Sequence, residues 1–145
     1  MNRTLRTIAY LAAGTGLVDS IYLSWLKLAN QECGVGDCDI VNSSQYAEIN
    51  GVPIALLGAG TYVVILLVLY MQDQDNFIGN NYRMILFALT LVGVLYSAYL
   101  TYIEVAVIFA ICPFCVVSAI TMLVLFVITL IDMFSMGKED PITQE

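Results

Sequence analysis

An all-α fold, built as an integral membrane four-helix bundle, is what this sequence predicts, and three observations predict it. Of its 145 residues 60% are hydrophobic, and the mean hydropathy is +0.85. The apolar residues fall into blocks longer than the buried strands of a soluble core. The blocks lack the alternation that a transmembrane barrel needs, and in lipid only a helix then pairs every backbone N–H and C=O within one segment.

Three spans follow directly. Residues 54–71, 84–103 and 113–131 are uncharged runs of 18, 20 and 19 residues, and at about 1.5 Å per residue each approaches a hydrocarbon thickness of roughly 30 Å. A fourth, residues 7–26, is apolar except for Asp19 and follows Arg3 and Arg6. It is expected to be a retained helix rather than a signal peptide, because it runs long for such a segment and has no small-x-small cleavage site. The connections are residues 29–53, 72–83 and 104–112, of which only the first is long enough to cover a site. A short polar tail, residues 133–145, completes one domain over residues 1–145.

Orientation comes from the basic residues. Arg3 and Arg6 precede the first span, Arg83 precedes the third and Lys138 follows the fourth, whereas the loop 29–53 has no Lys or Arg and only Lys27 stands at its edge. Positive charge favours the cytoplasmic side. Both termini are therefore expected in the cytoplasm, in a multi-pass protein of the cytoplasmic (inner) membrane, with the first loop extracytoplasmic. The net charge of −7 and isoelectric point near 4.2 exclude nucleic acid as a partner, because no basic stripe is present to neutralise phosphates.

The chemistry resides in four cysteines. Cys33 and Cys38 lie in the first loop, while Cys112 and Cys115 bracket Pro113 and Phe114 at the start of the fourth span. Alternating spans bring both pairs to one membrane face, where disulfides persist away from cytoplasmic reductants. Pro113 suits the first helical turn, which makes Cys112 the N-cap and Cys115 the third helical residue. Free N–H groups there favour a thiolate, and Cys115 is expected to carry it. The Cys33-Gly34-Val35-Gly36-Asp37-Cys38 stretch closes a short ring over two permissive glycines, so the loop can swing and exchange disulfides on both sides. Plainer alternatives stand beside this: a permanent staple in the loop, two ordinary small residues at the helix start, or a four-cysteine zinc site.

Dithiol oxidation requires an electron acceptor. The chain has no dinucleotide-binding glycine fingerprint, no histidine for haem and no room for a flavin domain, and neither metal nor flavin is expected. A lipid-soluble acceptor fits better. Gly58 and Tyr62 in the second span, with Tyr96, Tyr99 and Tyr102 in the third, offer flat packing surfaces and hydroxyls for ring carbonyls. Interfacial anchoring and close helix packing are the competing roles of these residues. Asp19, costly if bare in lipid, is expected to face the bundle, pair locally or be protonated. Glu104 reads as a solvated helix end.

The assembled residues resemble the vitamin K epoxide reductase family in its bacterial and archaeal form. Cys33 and Cys38 carry the resemblance, followed by Val41, Ser44, Tyr46, Gly51, Pro53, Gly58 and Tyr62 in a spaced pattern. Cys112-Pro113-Phe114-Cys115-Val116-Val117-Ser118-Ala119 completes it. The resemblance implies a bundle around a quinone (ubiquinone, menaquinone or a relative) and electrons arriving from a thioredoxin-like protein. It implies that Cys33 takes the partner's attack, Cys38 exchanges with Cys112, Cys115 stands beside the quinone, and Ser44 helps cover or bind the substrate region. The fused thioredoxin-like domain of many relatives is missing, so the implied partner is a separate thioredoxin-like or DsbA-like protein. The expected activity is protein-dithiol oxidation coupled to quinone reduction. A disulfide-braced membrane scaffold and the reverse, electron-exporting reaction are the alternatives.

Overall fold

The computed structural model describes residues 1–135 and contains four long helices: α1 (Arg3–Leu28), α3 (Ile54–Met71), α4 (Phe77–Ile103) and α5 (Pro113–Ser135). They pack as a square in which neighbours are α1 with α3, α3 with α4, α4 with α5 and α5 with α1. Three helical stretches, Ile54–Met71, Phe77–Ile108 and Pro113–Ser135, are long and apolar enough to cross a membrane, with mean hydropathies of 2.3, 1.9 and 2.8. The outward faces are apolar too: Leu67, Val92, Leu95 and Ile120 are all exposed, an arrangement suited to lipid and costly in water. α1 is longer than the 7–26 span, but Asp19 and its many small and hydroxyl-bearing residues make it less apolar than the others.

Several boundaries differ from expectation. α4 starts at Phe77, so Arg83 is a helical residue and the connection from α3 shrinks to residues 72–76. Asn76, extended at φ −113°, precedes this helix, and the polar first turns continue the apolar span despite the weak helix formers Gly79, Asn80 and Asn81, since they contain no proline. α5 extends past residue 131 to Ser135 and so includes Asp132. Lys138 and the rest of the polar tail lie outside the described residues.

The first loop is also more structured than a cover. It contains α2 (Cys38–Ser43), a 3₁₀ turn (Gln45–Ala47) and a two-residue hairpin of β1 (Glu48–Ile49) and β2 (Val52–Pro53), a small departure from an all-α chain. Ile49 faces Val52 in the antiparallel register. Asn50 and Gly51 both have positive φ, 52° and 81°, as a type I′ turn requires, and Asn-Gly is the strongest short hairpin signal in sequence.

The half of the bundle away from the cysteines, called the inner half for its place relative to them, is tightly packed. Ala9 and Ala13 meet Tyr62, Ile65, Leu69, Leu125 and Ile128 in one buried cluster. Gly16 lets the Tyr62 ring lie directly against α1, where any Cβ would collide with it. Below this cluster the buried Asp132 carboxylate accepts from Arg83 Nε at 2.8 Å and from the Tyr82 hydroxyl at 2.9 Å, and it lies 3.3 Å from the Met1 amine. A second cluster at the opposite, cysteine-bearing end, called the outer end, gathers Leu23 and Leu26 with Val41, Ala110 and three of the four cysteines.

Candidate functional site

Cys33 and Cys38 form a disulfide with their Cα atoms 5.9 Å apart. Two glycines make the short ring possible: Gly34 and Gly36 have φ of 66° and 59°, a region that other residues enter at a cost. A Cβ on Gly36 would come within 3.3 Å of the Pro113 ring. The disulfide ring thus rests on the first turn of α5. Its sulfurs are covered, with Cys33 only 6% exposed and Cys38 fully buried. The Asp39 carboxylate accepts the Cys33 N–H. At the far end of α2, Lys27 donates to the Asn42 carbonyl and lies 3.9 Å from Glu48, a cation at the negative end of a helix that ties the loop to α1.

Cys112 and Cys115 are free thiols at the start of α5, as the Cys-Pro-x-Cys pattern requires: the Cys112 carbonyl accepts the first helical N–H bond, from Val116 at 3.2 Å. The donors of this turn converge on Cys112, not on Cys115. The Cys115 thiol and the backbone N–H groups of Cys115 and Phe114 all point to the Cys112 sulfur, and they hold its thiol below the ordinary range against the opposing effects of burial and of Glu104. The sequence alone assigns the thiolate to Cys115 instead. A residue at N-cap receives the N–H groups of the second and third helical residues, whereas the third residue points its side chain away from them.

Glu104 also departs from expectation. It is 4% exposed, not solvated, and its carboxylate accepts the Cys112 N–H at 3.3 Å and contacts the Cys115 thiol. Local backbone explains this. After Ile103 the chain widens into a π-helical turn (Glu104–Ile108), and Phe109 then adopts φ 55°. The Ala110 N–H closes the turn on the Glu104 carbonyl at 3.0 Å, which rotates Glu104 inward beneath the dithiol. Such π turns are frequent at functional sites, but no feature of the sequence announces this one.

Beneath these groups lies a cavity of about 540 Å³, within the range of small-molecule sites. Cys112, Cys115 and Glu104 line its outer end, the loop residues Ser44 and Tyr46 cover it, and Gly58, Tyr62 and Tyr96 form walls. Tyr99 does not line it. That ring is 53% exposed and sits 6.2 Å from Tyr96, centroid to centroid; Tyr102 likewise faces outward. The Tyr62 hydroxyl is already engaged, donating to the Ser118 carbonyl at 2.9 Å with Thr121 at a further 2.9 Å, so it braces α3 against α5. Ser44 Oγ donates to Val41 at 2.7 Å, which fixes the end of α2 above the cavity. Asp19, which the sequence left between three roles, faces this cavity without an ion pair among the described residues.

Residues 7–130 match the family model described as the vitamin K epoxide reductase family. The thiol-disulfide oxidoreductase LTO1 of Arabidopsis thaliana is 30% identical over 126 residues, which cover 81% of this chain and 34% of that protein. The chain thus spans about a third of the length of this curated relative.

Proposed function

This chain belongs to the vitamin K epoxide reductase family, and from that premise we propose that it is a membrane oxidoreductase that oxidises a protein dithiol and reduces a quinone, thereby supporting disulfide formation. Electrons enter at Cys33, leave Cys38 for Cys112, and reach the quinone from Cys112 and Cys115. The donor is a thioredoxin-like protein or domain. α1 is the fourth membrane span, both termini face the cytoplasm, and the cysteines face outward.

The observation that carries this reading is the placement of a free dithiol at the mouth of a large cavity, directly under a disulfide ring. Each step conserves electrons. A partner dithiol opens Cys33–Cys38 and leaves as a disulfide, the reduced outer pair opens an inner disulfide, and the inner dithiol gives two electrons and two protons to the ring. An oxidised outer pair above a reduced inner pair is the state that immediately precedes quinone reduction. Because Cys33 is covered, attack by a partner requires the segment 33–38 to lift from Pro113. A Cys112 thiolate suits the inner relay, since exchange proceeds through thiolates. The scaffold alternative assigns no role to a free dithiol that lines a cavity.

Purified protein mixed with a reduced thioredoxin-like protein and a soluble quinone should form one quinol per partner disulfide, because both couples carry two electrons. No excess over the spontaneous rate, across several partners and quinones, would remove the proposal. Sidedness has its own test. After gentle reduction of intact cells, a membrane-impermeant maleimide should label Cys33 or Cys38, and labelling only after the membrane is opened would invert the orientation.

A further inference from the structure

Reducing a quinone takes two protons as well as two electrons, one proton for each ring oxygen. Thiols and Glu104 stand on the α4–α5 side of the cavity and can serve the nearer oxygen. Of the lining hydroxyls, Ser44, Thr61, Tyr62 and Thr101 each donate to a backbone carbonyl, and Ser20, Tyr46, Tyr96 and Ser97 carry alcohol or phenol protons, which are far less acidic than a carboxyl proton. Asp19 is different. It is only 9% exposed, it lines the cavity, and its Oδ2 has no hydrogen-bond partner. A buried carboxyl oxygen without a partner is a rare and expensive arrangement unless a ligand completes it.

Its depth is fixed by packing. Gly16 of α1 lies against the Tyr62 ring, and the Tyr62 hydroxyl reaches Ser118 of α5. Asp19 lies three residues outward from Gly16, and Cys115 lies three residues outward from Ser118. At about 1.5 Å per residue, Asp19 and Cys115 stand at similar depths on two helices that pack side by side. Beside Asp19, Ser20 faces Gly58, where a Cβ would come within 3.3 Å of the Ser20 hydroxyl. The small Ser20 and Gly58 leave room in the cavity beside the carboxyl for a flat ring.

We propose that Asp19 binds the quinone directly: as the neutral acid it donates a hydrogen bond to one ring carbonyl and passes its proton to that oxygen as the ring is reduced. The inference rests on the quinone reading above. The balance is simple. The Cys112 proton leaves as its thiolate forms, the Cys115 S–H bond breaks, one S–S bond forms between the two sulfurs, two electrons enter the ring, and two O–H bonds form. One proton comes from the thiol end and one from Asp19. Asp19 then recovers a proton from water, matching the one that the second thiol releases.

The test uses full-length protein, a small dithiol donor and a soluble quinone, with kcat, KM and the quinone-independent exchange from outer to inner pair measured separately. Asp19→Asn keeps a donor of similar shape but has no proton to transfer. Its kcat should fall about 100-fold, with KM within about threefold and exchange unchanged. Asp19→Ala should lose kcat as well, and added formic acid should restore part of it, which a purely structural role would not allow. Wild-type kcat in Asp19→Asn overturns the proposal, as does an Asp19→Ala defect that formic acid leaves untouched or a matching loss of exchange. Wild-type protein inert toward every quinone overturns the quinone reading itself, and this inference with it.

Discussion

The two ends of the bundle treat buried charge in opposite ways. At the inner end a single carboxylate, Asp132, is surrounded by Arg83, Tyr82 and the Met1 amine, and the adjoining cavity is only about 10 Å³. At the outer end Asp19 and Glu104 are buried without a cation among the described residues, beside a cavity of about 540 Å³. The backbone follows the same division. Regular helix reaches the inner end, whereas the outer end is built from a π turn, short helices and residues in the left-handed region. Polar groups that are fully paired fix a structure; polar groups left open beside a cavity are available to a ligand or to a reaction.

The largest expected contrast comes from the cysteines. Cys115→Ser should reduce quinone turnover to the uncatalysed rate with any donor, while Cys33→Ser should block turnover by a protein donor and leave turnover by a small dithiol that reaches the inner pair. Assaying both donors on both variants separates these outcomes, and equal losses in Cys33→Ser would remove its entry role.

At the opposite end the effect should be on stability alone. Asp132→Asn leaves Arg83 and the amine facing no anion, and it should cost about 3 kcal/mol, the lower range for breaking a buried pair because Arg83 is partly exposed. Denaturant unfolding of the solubilised protein measures this. Quinone turnover per folded molecule should stay near that of the wild type, and a turnover loss in step with that of Cys115→Ser would abolish the distinction between the two ends.

Electrostatics at the dithiol should give a smaller, directional effect. With Cys33 and Cys38 replaced by serine and alkylation mapped by mass spectrometry, Cys112 should react with a midpoint below the ordinary thiol value of about 8.5. The thiolate is the reactive form, so donors that stabilise it extend reaction to lower pH. Cys115→Ala removes the main donor and should move the midpoint up, whereas Glu104→Gln removes an opposing charge and should move it down. Shifts of the reverse sign would mean that burial controls this thiol.

The smallest effect is expected at the loop contact. Gly36→Ala puts a Cβ against Pro113 at a positive φ, which should cost about 1 kcal/mol and slow outer-to-inner exchange about fivefold. Stopped-flow exchange measures it, and turnover with a small dithiol should be unchanged.

Much of this molecule was legible from local chemistry. Residues 54–71 form a helix with the bounds that its uncharged run requires, and Pro113 starts α5 with Cys112 at N-cap, because span length and the missing proline N–H act within one segment. The hairpin at Asn50-Gly51 was not read from the sequence, although its φ values are local demands. The cavity's composition was not local. Tyr62 and Tyr99 offer similar side chains, yet one is locked between α1 and α5 and the other faces outward, a difference set by helix rotation within the square. Glu104 turns inward only because a π turn shifts its phase, and the donors of α5 select Cys112 through their direction in space. Sequence by itself determined the spans, the two cysteine pairs and their common face. Tertiary structure alone decided which acids are paired, which hydroxyls are engaged and which thiol receives the helix donors, because each depends on groups that distant segments bring together.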